Sequence, residues 1–400
     1  MESYDLVFEG GGAKGMVFVG AMQEFEAREY THDRLLGTSA GAISAALLAA
    51  GYTPQEMLAA LSEREDNQPV FVGFLGTPPE FNPEEIKRSV THAFLQSVDI
   101  PLVPDFAEAK MDTWLTNALL KQPNYRNLFS FIERGGWFSA HKFLEWLQRK
   151  LDTGTYQGQP RNFSQMTLAE FFEATGREVS VVAADTTAAQ MLVLNHITAP
   201  DCPLRWAVRM SMSIPFLWPE VEWQADWGTY GGNEMAGHLV VDGGLLSNFP
   251  LELFISDKPH ITAVMGPKQS DNVLGLLIDE SLPVAGAPAE MVAATTLNFG
   301  QLHTVQRIHR LINTATQAHD KMIIEAFEKL VVRLPAQGYG TTEFDMSDAR
   351  RDALVAAGRE TMGHYLDRMA TDMSFSLAED TSDLADDVAS KTLARWKIGF

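Results

Sequence analysis

The five residues Gly37-Thr38-Ser39-Ala40-Gly41 constrain this chain more than any other stretch. They stand between a short segment, Asp33 to Leu36, and an alanine-rich segment that reaches Ala50 and closes on Gly51. The short segment reads as a strand, and the alanine segment as a helix with a glycine stop. A G-x-S-x-G turn between a strand and a helix is sharp. Its glycines leave room for the serine Oγ to project beyond the strand's C-terminal end. A second unit of the same kind precedes it. Tyr4 to Phe8 reads as a buried strand, runs into Gly10-Gly11-Gly12-Ala13-Lys14-Gly15, and passes into a helix with Met16, Val19, Gly20, Gln23 and Phe25 near helical spacing. The order strand, loop, helix, strand, turn, helix predicts a three-layer α/β/α fold with a central, mainly parallel sheet.

Residues from about 54 to 175 read as a helical insertion. Thr53-Pro54 and Asn82-Pro83-Glu84-Glu85 start helices, and Ser139 caps a third that runs to Leu151. Aromatic pieces lie between them, at 70–75 and 128–138. Such stripes belong to a core or to a lid. The strand pattern returns at 178–184 and 190–194, a helix spans Leu204 to Met212, and a strand covers His238 to Val241. Ile261 to Met265 reads as the last buried strand. Beyond it, 287–332 and 347–370 read as helical, the run Glu379 to Asp387 as a solvated acidic helix face, and Lys391 to Phe400 as a mildly basic end. These features divide the chain into a catalytic domain over 4–268, with its insertion, and a mainly helical C-terminal extension over 269–400.

With 31 basic and 52 acidic residues the formal net charge is −21, a field that opposes nucleic acid and anionic lipid surfaces. Any membrane contact must therefore be transient and made through exposed apolar groups, for instance the aromatic segments at 70–75, 128–138 and 214–227. Protein partners are not legible. The single cysteine, Cys202, excludes an intrachain disulfide and a cysteine metal cluster, and reads as a buried thiol. The N-terminus lacks the basic and apolar regions of a secretory signal, and no apolar run approaches the ~18 residues of a spanning helix. The expectation is a cytoplasmic protein, although export without a cleavable signal would leave the same pattern.

Three motifs carry chemistry. Ser39, at the tip of its turn, is a candidate nucleophile. The loop from Gly10 to Gly15 can converge successive backbone N–H groups on one point beside a helix N-terminus, which suits an oxyanion. Asp242-Gly243-Gly244 follows a strand and faces the rim where parallel sheets place their sites, although an Asp-Gly turn without chemistry has the same sequence. The loop also fits G-x-G-x-x-G. A dinucleotide site, however, wants an acid at the end of the second strand, about 20 residues on. Asp33 precedes that strand's apolar residues, and the strand's end carries the serine turn instead. Lys14 is followed by Gly15 rather than Ser or Thr, so the loop is not a phosphate-binding Walker loop. Serine needs a base. His260, His303, His309, His319 and His364 follow Asp242, but none sits in a recognisable loop after a final strand. A partly dehydrated carboxylate touching the serine hydroxyl can serve, which makes Asp242 the candidate base.

In order and in context, these motifs resemble the three signatures of patatin-like phospholipases, and Ser213-Ile214-Pro215-Phe216 resembles a further segment of that family. The likeness spans residue 4 to about 268. It implies a Ser-Asp dyad of Ser39 and Asp242, an oxyanion hole built on Gly10, Gly11, Gly12 and neighbouring amides, and hydrolysis of lipid acyl esters without metal or cofactor. Lys14 stands where the family has a basic residue, which either supports the oxyanion or substrate phosphate or forms a structural ion pair. A soluble ester or thioester is the alternative substrate. A nucleotide-binding protein, or a catalytically idle lipid-binding regulator, is the alternative of a different class.

Overall fold

The computed structural model describes residues 2–65, 67–96, 121–288, 307 and 324–371. An eight-stranded sheet forms its middle layer. The strands are β1 (Ser3–Phe8), β2 (Thr31–Thr38), β3 (Val179–Asp185), β4 (Gln190–Leu194), β5 (Val221–Glu222), β6 (Leu239–Asp242), β7 (Val273–Pro283) and β8 (Val331–Gln337). They lie in the order β8-β7-β1-β2-β3-β6-β5, with β4 also paired to β3. Strands β8, β7, β1, β2 and β3 are parallel to one another, while β4 and β6 run antiparallel to β3.

Side-chain alternation sorts the central strands between two cores. Leu6, Phe8, Leu35, Val181 and Ala183 face one core, shared with helices α1 (Met16–Ala27) and α2 (Ala40–Ala49). Val7, Leu36 and Val182 face the other, covered by the segment from Phe249 to Met265. Helices therefore cover both faces of a mainly parallel sheet, as the strand-and-helix order predicted. Where β1 meets β2 the register shifts between Tyr4 and Leu6, and the intervening Asp5 is fully buried. Its carboxylate accepts from the Arg34 backbone N–H (3.1 Å) and from Arg34 Nε (2.8 Å). Burial nevertheless raises the Asp5 carboxyl above its ordinary range against the pull of Arg34. The pair ties the first two strands together at their irregular point.

In the insertion, Thr53 and Asn82 form the capping boxes that their sequences announce. The helix His141–Asp152 starts one residue after Ala140, with Ser139 Oγ accepting from the His141 N–H (3.2 Å). Helix Pro123–Arg134 exposes Tyr125, Leu128 and Ile132. Cys202 is buried, and burial pushes its thiol up.

Two expectations change. Ile261 to Met265 is not a strand but part of a helix, Pro259–Met265. Proline at its N-terminus presets the helical φ, and buried Ile261, Val264 and Met265 stand at i, i+3 and i+4. Nor does the sheet stop at 268. The chain beyond it supplies β7 and β8 as well as the long helix Asp348–Thr371. Strand β7 (VLGLLIDESLP) pairs in parallel with β1, so it completes the sheet. Of the stretch read as helical over 287–332, the residues from Val331 on belong to β8; 289–306, 308–323 and the acidic and basic pieces after 371 lie outside the described residues. Among the described residues, no helix is long and apolar enough to cross a membrane.

Candidate active site

Strand β3 has two edges, and their occupation brings the site together. Strand β4 takes one edge along Val181 to Asp185. Strands β2 and β6 must then share the other, β2 beside Val179 to Val182 and β6 beside Ala183 to Asp185. Because β2 runs parallel to β3 and β6 antiparallel, their C-terminal ends meet. Thr38 pairs with Val182, and Asp242 with the next residue, Ala183. Ser39 and Asp242, far apart in sequence, are thus delivered head to head.

Ser39 adopts φ 54° and ψ −118°, a region that non-glycine residues rarely occupy. The strain is held from both sides. Gly37 lies against the Gly41 backbone, and Gly41 against the Phe8 carbonyl, so a Cβ at either position would strike main-chain atoms. The Ser39 N–H donates to Ser211 Oγ (3.0 Å), whose hydroxyl donates to the Val182 carbonyl (2.6 Å). Helix α2 begins at Ala40, directly after the serine.

Asp242 is buried at the end of β6. Its Oδ1 accepts the Gly244 N–H (2.8 Å), and its own N–H donates to the Ser213 carbonyl (3.0 Å). Burial pushes the carboxyl up to about 7, against the pull of the Ser39 hydroxyl and the Gly244 N–H. Among the described residues, Oδ2 completes no hydrogen bond. The Ser213 turn is itself braced by Arg209, which contacts Ser213 Oγ and donates to the Pro219 carbonyl (3.1 Å). Burial lowers the Arg209 guanidinium to about 9.

The glycine loop lies beside Ser39. A Cβ on Gly10 would come within 3.2 Å of the Ser39 Cβ, and one on Gly15 within 2.9 Å of the Ala40 Cβ. The amides of the loop are unequally available. Gly10 donates to the Asn248 carbonyl (3.2 Å), Ala13 to the Thr341 carbonyl (2.9 Å) and Lys14 to the Gly11 carbonyl (3.3 Å). Those of Gly11 and Gly12 make no hydrogen bond among the described residues; Gly11 caps a 3-10 turn and Gly12 is its first residue, positions whose N–H groups have no partner within the turn. The buried Lys14 ammonium pairs with Glu280 of β7.

A cleft opens at Ser39, Gly12 and Ala40. Its other walls are apolar, including Met16, Ile43, Leu61, Ile214 and Trp218. Phe71 and Phe74 line it too, and Phe74 is buried, so these aromatics are pocket wall rather than an outward-facing lid. Phe138 is half-buried and packs against the core. No described histidine lines the cleft. His238 instead contacts Asp185 (2.8 Å), His260 and His364 are exposed on helices, and His303, His309 and His319 lie outside the described residues. Asp33 sits near the exposed start of β2, away from the strand end where a dinucleotide site needs its acid.

Sequence reasoning did not single out Ser211, Asn248, Thr341 or Phe344. Asn248 donates to the Gly10 carbonyl (2.8 Å) and to Glu9 Oε1 (3.1 Å), holding the glycine loop in place. The nearby Asp242-Gly243-Gly244 motif was its only available signal. Thr341 acts through a backbone carbonyl, which leaves no trace in residue identity.

The chain is 26% identical over 380 residues to the uncharacterized protein YqhO of Bacillus subtilis (strain 168), covering 90% of this chain and 97% of that one. It is 23% identical over 253 residues to the probable lipid hydrolase 463L of Invertebrate iridescent virus 6, covering 62% of each. Among solved structures it is similar to VipD from Legionella pneumophila, with a TM-score of 0.47 and 17% identity over 98% of this chain and 75% of that one. The family model for patatin-like phospholipase matches residues 6–255, most of the chain. The chain belongs to the patatin-like phospholipase family, a family of lipid hydrolases.

Proposed function

We propose that this protein hydrolyses fatty-acyl esters of phospholipids and related lipids through an acyl-enzyme formed on Ser39. In this reading Asp242 takes the hydroxyl proton as Ser39 Oγ attacks the ester carbonyl. The amides of Gly11 and Gly12 stabilise the oxyanion, and the apolar cleft receives the acyl chain. The proton passes to the departing alkoxide. Water, deprotonated in turn by Asp242, then releases the fatty acid and restores the serine. The observation that carries the reading is the buried Asp242 carboxyl, lifted to about 7, facing a strained serine beside two open amides. The exposed Tyr125, Leu128 and Ile132 support transient contact with a lipid surface, and the site of action in this reading is the cytoplasm.

The test is chemical. Purified protein incubated with mixed phospholipid vesicles and with soluble acyl esters and thioesters should release free fatty acid from the lipids, identified by mass. Acid released only from the soluble substrates would move the reading to an esterase or thioesterase. Recovery of every substrate intact would overturn it.

The pH dependence follows from the carboxyl. Asp242 acts as a base only when ionised, and its folded-state pKa is about 7. On this reading kcat/KM rises with pH through that value and levels off above it, because kcat/KM reports groups of the free enzyme. A profile flat from pH 5 to 8 would reject Asp242 as the base.

A further inference from the structure

One residue that lines the cleft, Phe344, comes from beyond the family-matched stretch. After β8 the chain forms a loop over residues 339–346, which Arg350 of the helix Asp348–Thr371 holds from behind. Buried Arg350 donates to Glu343 Oε1 (2.6 Å) and Oε2 (3.1 Å), and to the Gly338 carbonyl (2.7 Å). Its guanidinium lies 4.1 Å from the Tyr339 ring centroid. From this loop the Thr341 carbonyl accepts the Ala13 N–H, and buried Phe344 packs beside Phe71 and Trp218, with ring centroids 6.2 Å and 5.9 Å away.

Phe71 and Phe344 have a second exposure. Together with Ala13, Met16 and Leu61 they line both the cleft at Ser39 and a neighbouring cleft, which is also lined by Arg64, Asp348 and Arg351. The two rings are thus a shared wall, with the proposed acyl pocket on one side and an opening partly lined by charged residues on the other.

We infer that the Phe71–Phe344 pair is a partition that sets the length of acyl chain the site accepts, with Phe344 its specificity-determining residue. The inference rests on the reading of Ser39 as nucleophile above an acyl pocket. Chains that end before the partition fit the closed cleft. Longer ones meet aromatic ring atoms in a packed wall, where a misfit of a single methylene already alters rates about tenfold or more. Truncating Phe344 joins the two clefts and gives a longer chain somewhere to go.

The test uses the full chain and two alkyl fluorophosphonates, butyl and dodecyl. In each, Ser39 Oγ bonds to phosphorus, fluoride leaves and the hydroxyl proton is lost to base. Intact mass gives the modification rate, and peptide mapping the site. The expected result is that Phe344→Ala raises the dodecyl-to-butyl rate ratio about tenfold or more over wild type, and Phe344→Trp lowers it. If Phe344→Ala does not fold, as melting would reveal, Phe344→Leu carries the test with a smaller rise. A ratio unchanged in a folded Phe344→Ala, with Ser39 still modified, overturns the partition alone. Failure of both reagents to modify Ser39 in the wild type overturns the nucleophile reading and the partition with it.

Discussion

If Asp242 is the base as proposed, replacing it with asparagine should lower kcat for ester hydrolysis about a thousandfold or more, leave KM near its wild-type value, and make the folded protein more stable above neutral pH. The kinetic part follows from the assigned role. Asparagine keeps the carbonyl oxygen that accepts the Gly244 N–H, but it cannot take a proton from Ser39. A base that works only as bonds change contributes to the transition state, so its loss falls on kcat. Ser39→Ala removes the proposed nucleophile and should cost at least as much. Because the two groups act as a unit, the double variant should be no worse than either alone.

The stability part follows from the same carboxyl. Its folded-state pKa, about 7, lies above the ordinary aspartate value of 3.8 that holds once the chain unfolds. Between those values the folded state holds a proton that the unfolded state releases. Stability therefore falls as pH rises through the window, and the loss is complete above the folded pKa. A tenfold change in proton affinity corresponds to about 1.4 kcal/mol, so an uncharged residue should recover a few kcal/mol at pH 8. Denaturant unfolding of wild type and Asp242→Asn at pH 5 and pH 8 checks this. An Asn variant no more stable than wild type at pH 8 would contradict a desolvated carboxylate.

Gly12→Ala carries the second large effect, a loss of about a hundredfold to a thousandfold in kcat. Gly12 has φ +56°, which alone costs alanine only about 1 kcal/mol. The larger obstacle is spatial. An alanine Cβ there would overlap the Thr341 carbonyl oxygen, a main-chain atom fixed by its bond to the Ala13 N–H. The loop must shift, and the Gly11 and Gly12 amides with it, away from the developing oxyanion. Gly158→Ala is the control. It also requires positive φ (+79°) but has nothing within 4 Å of its added Cβ, so it should cost some stability and no activity. Equal kcat in the Gly12 and Gly158 variants would argue that the glycine loop does not serve the oxyanion.

The readable parts of this molecule were those written in local chemistry. The turn around Ser39 announces itself because only small neighbours tolerate it, and the capping boxes at Thr53 and Asn82 because their geometry is confined to four residues. Asp242 could be set on the same rim as Ser39 because both stand at strand ends. Ile261 to Met265 failed for the converse reason, since a short apolar run has no period long enough to tell a strand from a helix turn. Strand β7 was hidden by its setting, an apolar run inside a stretch whose texture had turned helical. Thr341 and Phe344 were beyond reach, because a carbonyl that braces a loop and a ring that closes a cleft are defined by what lies across from them.

The position of β1 has a consequence for the growing polypeptide. It is translated before β2 yet sits inside the sheet, flanked by β2 and by β7, a strand translated long afterwards. Until β7 leaves the ribosome, one side of β1 offers bare N–H and C=O groups to any extended neighbour, a hazard during synthesis. Among the described residues that line the cleft over Ser39, Phe344 is the last to be translated, so a chain still being made cannot yet present the completed cleft.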